Sequence, residues 1–241
     1  MSLSYIVSGT GRCGTVFMAK YLSHLDIPCG HESIFDYSEL SVALKRLSSS
    51  KERTISHCST NKIEDGIWKK AVNWVDPKKI IAESSYMATP YLAYLPNVPL
   101  IHVYRNGLKV ISSFIGDLDY FKYPNWESNN TIGNSIYWQK HIYNALPELS
   151  EIKTQIERAC YFYIKWNELL KKEKNNRPYL LLNIECVENN VKLLDFLKKE
   201  PKEFICDNFN SFKRRKRDLT SADIPDGAIK KDFIRKLNVK I

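Results

Sequence analysis

A chain of 241 residues, 44% of them hydrophobic, is long enough for one sizeable core, and it has no apolar run near the roughly 18 residues that a membrane span requires. Lys and Arg number 36 against 27 Asp and Glu, and the resulting net charge of +9 suits an anionic ligand, nucleic acid or an acidic membrane surface without choosing among them. The six cysteines (Cys13, Cys29, Cys58, Cys160, Cys186 and Cys206) form no C-x-x-C pair, which excludes the usual zinc and dithiol-redox motifs. Reduced, mostly buried thiols are the expectation, in a cytoplasmic protein with no leader ahead of its first strand.

Taken in order, short segments rich in Ile, Val, Leu and Tyr read as strands at Ser4–Ser8, Thr54–Cys58, Lys79–Glu83, Leu100–Tyr104 and Tyr179–Glu185. Helical patterns fall between them. They cover Thr15–Leu25, Ile63–Trp74 ahead of Asp76-Pro77, and Gly107–Phe114. A helical pair, Thr131–Leu146 and Glu148–Lys174, is divided at Pro147, and a last helix, Val187–Lys199, stops before Pro201. The alternation predicts a single three-layer α/β/α domain over residues 1–241, with a mostly parallel central sheet and a helical insertion at about 125–175. In such sheets ligands sit beyond the carboxyl ends of the strands, so the loops that follow them are the place to look.

The first of these loops is Ser8-Gly9-Thr10-Gly11-Arg12-Cys13-Gly14-Thr15. Three glycines let backbone N–H groups converge, and a helix beginning near Gly14 points its positive end at the same spot. The Gly9-x4-Gly14 spacing matches the glycine part of a nucleotide-binding Walker loop. The rest does not: Thr15 stands where the lysine belongs and Val16 where the metal-binding hydroxyl belongs. The anion cradle is kept and the metal handle is lost. Without a ligand, the same residues make a tight strand-to-helix turn.

The loop after Leu100–Tyr104 reads Arg105-Asn106-Gly107, and Ser113 stands eight positions after Arg105, about two helical turns on. Arginine offers a planar fork to phosphate oxygens and serine a neutral donor. Singly, each residue reads equally well as a helix cap or a surface group.

Together the two loops resemble the sulfotransferases that use 3′-phosphoadenosine 5′-phosphosulfate (PAPS). That family grips the 5′-phosphosulfate with a strand–loop–helix of the form [R/K]-S-G-T-T. It grips the 3′-phosphate with a strand ending in Arg-Asn/Asp-Pro and a serine eight residues after the arginine. Here the first motif reads Arg12-Cys13-Gly14-Thr15-Val16 and the second Arg105-Asn106-Gly107 through Ser113. Cys13 replaces a serine, Val16 a threonine and Gly107 a proline. The resemblance covers the first half of the chain well and the second half in outline.

What the resemblance implies is specific. The fold would be the P-loop-like sulfotransferase fold. Gly11, Arg12, Cys13, Gly14, Thr15, Val16, Arg105 and Ser113 would bind the donor, with PAP as product and no metal. Lys213 or Arg214, in the basic run Lys213–Arg217, would close over the 3′-phosphate; a solvated basic tail is the alternative. Arg12 would meet the charge on the leaving group. The base that deprotonates the acceptor hydroxyl would come from Cys29-Gly30-His31-Glu32-Ser33-Ile34-Phe35, because carbohydrate-type and bacterial members carry a glutamate in this region. Glu32 is the first candidate and His31 the second. His57, at the end of the expected second strand, is the counterpart of the histidine used by members acting on phenols. Ser84, Ser85 and Tyr86 end the third strand and are candidates for acceptor contact. Trp126, Tyr137, Trp138, Tyr161, Tyr163 and Trp166 read as helix-packing core rather than as adenine stackers.

Sulfuryl transfer to a carbohydrate or glycan-like hydroxyl is therefore the leading expectation. The alternatives are a nucleotide kinase with a degenerate loop and a nucleic-acid-binding protein. No acidic residue of the Walker B kind supports the first, and the basic residues, mostly spread along the chain outside the run Lys213–Arg217, argue against the second.

Overall fold

The computed structural model describes residues 3–36, 39–49, 75–116, 120–124, 135–186, 191–202 and 219–238. The chain forms two compact units, Met1–Tyr104 with Leu170–Asn210, and Arg105–Leu169 with Ser211–Ile241.

The first unit carries the sheet. Strands β1 (Tyr5–Ser8), β2 (Cys29–His31), β3 (Ala82–Ser84), β4 (Leu100–Tyr104) and β5 (Tyr179–Asn183) lie in the order β2-β3-β1-β4-β5. All four pairings are parallel, with Val7 beside Ser84 on one side and Ile101 on the other. Ile6, Val7, Leu100, Ile101 and Val103 are fully buried, which is why these strands are continuous apolar runs rather than alternating ones. The order makes β1 the topological switch point. The chain leaves β1 toward the β2 edge but leaves β3 and β4 toward the β5 edge. Connections diverge around the carboxyl end of β1, and such divergence opens a crevice there. Helix α1 (Thr15–His24) follows β1, α2 (Leu40–Ser48) follows β2, and α6 (Val191–Leu197) follows β5. Buried Arg177 ties the unit's lower loops together, donating to the Leu92 and Leu95 carbonyls at 2.7 Å each and pairing with Glu173 at 2.6 Å.

The second unit is helical among the described residues. It holds α3 (Gly107–Gly116), α4 (Ser135–Ala145), α5 (Gln155–Lys172) up to Leu169, and α7 (Ala228–Asn238). Its core is aromatic: Phe114, Phe121, Phe162 and Trp166 form a chain of ring contacts 5.0–5.7 Å apart. Arg158 is buried beside them and is satisfied by backbone carbonyls, including those of Phe121 and Lys122 at 2.8 Å. Tyr163 packs on Phe233 at 5.7 Å.

An α/β fold with a parallel sheet is thus as the sequence suggests, with several differences in its elements. The strand expected at Thr54–Cys58 and the helix expected at Ile63–Trp74 lie outside the described residues, as do the starts of the helices expected at Thr131 and Val187. Among the described residues the second strand is instead Cys29–His31, where no strand is expected. The third strand starts three residues later than expected, because Asp76 caps a 3-10 turn at Pro77–Lys79 by accepting from Lys78 N at 3.0 Å. The fifth strand stops at Asn183, whose side chain accepts from Glu185 N at 3.0 Å and turns the chain. The long helix expected from Glu148 is a 3-10 turn, Pro147–Glu151, followed by α5. Thr154 makes the break: its hydroxyl accepts from Glu157 N at 3.2 Å and donates to the Glu157 carboxylate at 2.7 Å.

Candidate functional site

The loop between β1 and α1 has two successive residues in the left-handed region, Gly11 (φ 70°) and Arg12 (φ 50°), and then Gly14 (φ 93°). Such a run folds a peptide chain back on itself and brings successive N–H groups to one side. The glycines are there for contact reasons as well. A side chain at Gly9 would sit 2.3 Å from Cys13 Sγ and 2.4 Å from the Val103 carbonyl. One at Gly14 would sit 2.5 Å from Ile184 Cγ1. Gly14 is the N-cap of α1 and supplies no side-chain cap, so the positive end of the helix opens directly onto the loop. Arg12 is half-buried, and its strained backbone is of the kind found at ligand clamps.

Cys13 and Val16 face inward. The Cys13 thiol is fully buried, and burial pushes its pKa up to about 11, so it is a packing group and not a nucleophile. Either residue would meet an anion through its backbone N–H. Thr15 differs, because both of its ends are held. Ser84 Oγ donates to its carbonyl at 2.7 Å, and its hydroxyl shares a 3.2 Å hydrogen bond with His31 Nε2. The first residue of α1 is thereby tied to the carboxyl ends of β3 and β2.

His31 is the last residue of β2 and Glu32 opens the turn that follows. Glu32 has φ 53°, again left-handed. The Glu32 carboxylate lies 3.8 Å from His31 Nε2. Burial pushes the Glu32 pKa up to about 8, with the Glu83 and Asp36 carboxylates adding to it. Burial alone pulls His31 down to about 4. At neutral pH the pair is therefore a neutral imidazole beside a mostly protonated carboxyl, and Glu32 is the one that titrates close to working pH.

Ser84 and Ser85, expected to contact an acceptor, do not fit that role. Both are fully buried, and Ser85 Oγ donates to the Phe35 carbonyl at 2.6 Å while accepting from Met87 N at 3.1 Å. Their hydroxyls fasten backbone to backbone.

In the second unit, Arg105 is its first residue, and Tyr163 Oη donates to its carbonyl at 2.9 Å. Asn106 is the N-cap of α3: its side chain accepts from Leu108 N at 3.0 Å and Lys109 N at 3.4 Å. Ser113 is buried on α3. Its neighbour Ser112 donates to Leu108 O at 2.7 Å and accepts from Leu219 N at 2.9 Å. His57, Lys213, Arg214 and the rest of the basic run lie outside the described residues, as do Trp126 and the side chains of Tyr137 and Trp138.

The sequence reading missed the polar groups beneath the Glu32 turn: Glu83 on β3, Asp36 in the turn and Arg46 on α2. Asp36 and Arg46 make a buried ion pair at 2.7 Å. The available signal was a carboxylate in the middle of Ile80-Ile81-Ala82-Glu83-Ser84, where a buried parallel strand has no use for one unless it is partnered. Among the described residues no helix is long and apolar enough to cross a membrane, and no group of three His, Cys, Asp or Glu side chains could hold a metal ion.

No protein-family model, no curated protein and no solved structure matches this chain.

Proposed function

We propose that this protein is a PAPS-dependent sulfotransferase acting on a hydroxyl acceptor of carbohydrate or glycan-like type, with Glu32 as the general base. The observation that carries this reading is the hydrogen bond between His31 Nε2 and Thr15 Oγ1. It joins the candidate base segment to the first residue of the candidate anion cradle within one compact unit.

The residues present fit the donor. The left-handed loop and the N-terminus of α1 suit an oxyanion of the 5′-phosphosulfate, and Arg12 adds a charge there. Val16, at the position of a kinase's metal-binding hydroxyl, offers only a buried apolar side chain, which supports a cradle that works without a metal handle. In the second unit Arg105 and Ser113 are the candidates for the 3′-phosphate. Bound PAPS supplies an activated sulfuryl group, moved as the acceptor oxygen bonds to sulfur and the bridge to the 5′-phosphate breaks.

The chain's own work is to deprotonate and to stabilise. Glu32 takes the proton of the acceptor hydroxyl, and its raised pKa makes its carboxylate a stronger base than an ordinary one. His31 is bonded to Thr15 and titrates far below neutral pH, so it serves as the spacer between base and cradle. Arg12 and the Gly14 and Thr15 amides meet the charge that develops on the leaving phosphate.

The test is transfer of labelled sulfate from PAPS to a panel of mono- and oligosaccharides. Turnover is expected to need no divalent cation. Glu32→Gln is expected to lower kcat by about 100-fold or more while sparing donor binding. Wild-type levels of transfer by Glu32→Gln would remove Glu32 from the mechanism.

A further inference from the structure

The geometry points to Glu83 as the positioning residue for Glu32: from β3 its carboxylate holds the backbone of the turn that presents the candidate base. The inference rests on the proposed function only in calling Glu32 the base. Glu83 is fully buried and lies opposite Gly30 in the parallel register of β2 and β3. Its Oε1 accepts from Ile34 N at 2.9 Å and from Phe35 N at 3.4 Å. These two amides belong to the turn that Glu32 begins, 49 and 48 residues away from Glu83 in the chain.

Three further contacts hold the same few residues. Glu32 N donates to Ser84 O at 3.3 Å. Arg46 donates to Ile34 O at 3.3 Å, and Ser85 Oγ donates to Phe35 O at 2.6 Å. β2 itself leaves room for the clamp. A side chain at Gly30 would lie 2.6 Å from Glu83 Oε2 and 2.6 Å from Ser33 Oγ. A left-handed glutamate persists only where its surroundings over-determine it, and a carboxylate accepting two amides is the strongest of these constraints. Burying a charge has no structural benefit in an apolar strand, so its amide partners are the reason for Glu83. The charged groups facing Glu32 are Glu83 from β3 and Asp36 from the turn with its Arg46 partner on α2, and the neutral but titratable His31 faces it from β2. Glu83 therefore acts on Glu32 twice, through the backbone and through the field.

Two variants separate these effects. Glu83→Gln keeps an oxygen for the two amides and removes the charge; Glu83→Ala removes both. Amide hydrogen exchange and the 13C titration of the Glu32 carboxyl, both by NMR, read the outcome without any activity. Glu83→Ala is expected to speed exchange at Ile34 and Phe35 by about tenfold or more, the loss of one charge-assisted hydrogen bond. Glu83→Gln is expected to keep both amides slow and to move the Glu32 titration toward acid. If Glu83→Ala does not fold, Glu83→Asp, one methylene shorter and so drawn back from the two amides, takes its place in the exchange measurement. Unchanged exchange at Ile34 and Phe35 in the folded variant overturns the inference, and a Glu32 titration unchanged in Glu83→Gln overturns the effect through the field. Where transfer activity is present, the rising limb of its pH profile should shift to acid in Glu83→Gln. These NMR changes in a protein that transfers no sulfate would sink the proposed reaction and leave the positioning role standing.

Discussion

Two of the residues that matter most here, Gly14 and Glu32, adopt backbone conformations that L side chains avoid. Gly14 has no alternative: alanine there would add left-handed strain of about 1–2 kcal/mol to a clash with Ile184. Gly14→Ala should therefore lower the thermal midpoint and weaken donor binding together, and a variant that does neither would show that the turn can relax. Glu32 accepts the strain and adds a burial cost. Its folded pKa of about 8 lies above the unfolded value of 4.5, so the folded state keeps a proton that the unfolded state has lost. The penalty is absent below about pH 4.5, grows between 4.5 and 8, and is complete above 8. Glu32→Gln removes it and should stabilise the protein by up to a few kcal/mol at pH 9, with little effect at pH 4. His31 works the other way. Its folded pKa of about 4 lies below 6.5, so its penalty is absent above pH 6.5 and develops as pH falls toward 4. Chemical denaturation across pH reads both signs. Activity carries the same signature: a rising limb near pH 8 belongs to Glu32, and one near pH 4 would assign the base to His31 instead.

At the scale of elements, the start of α1 depends on other strands more than on its own cap. Gly14 gives no side-chain bond, and Thr15 is held by Ser84 from β3 and His31 from β2. Ser84→Ala removes a buried hydrogen bond and should cost about 1 kcal/mol, with donor binding weakened beyond what the stability loss explains. Equal affinity in the variant would mean that the loop holds its shape without β3. The second of these strands explains one limit of sequence reading. β2 is three residues long, contains a glycine and has no β-branched side chain, so it carries no strand signal. β1 and β4, by contrast, are apolar runs next to glycine-rich or Arg-Asn-Gly turns and were legible to within a residue. The clamp beneath Glu32 was not legible for a different reason. Glu83 meets amides nearly fifty positions away, and a hydrogen bond to backbone leaves no pattern in side-chain spacing.

On the scale of the molecule, each compact unit carries one motif of the sequence resemblance. The loop around Arg12 belongs to the sheet unit, and Arg105 with Ser113 to the helical one. The glycine loop and the Arg-Asn-Gly turn were readable as turns because a left-handed strand-to-helix turn and an Asn N-cap need fixed residue types at short spacing. The burial that sets the Glu32 and His31 pKa values was not, since it comes from residues of β3 and α1 folded against them. The central claim is that the chain binds an adenosine bisphosphate without a metal, and isothermal titration with 3′,5′-adenosine bisphosphate in the presence of a chelator tests it most directly. One site per chain is expected, weakened at least tenfold in Arg12→Ala and in Arg105→Ala taken separately, and unchanged in Glu32→Gln. Absence of heat up to millimolar ligand, or binding that appears only when magnesium is added, would contradict it.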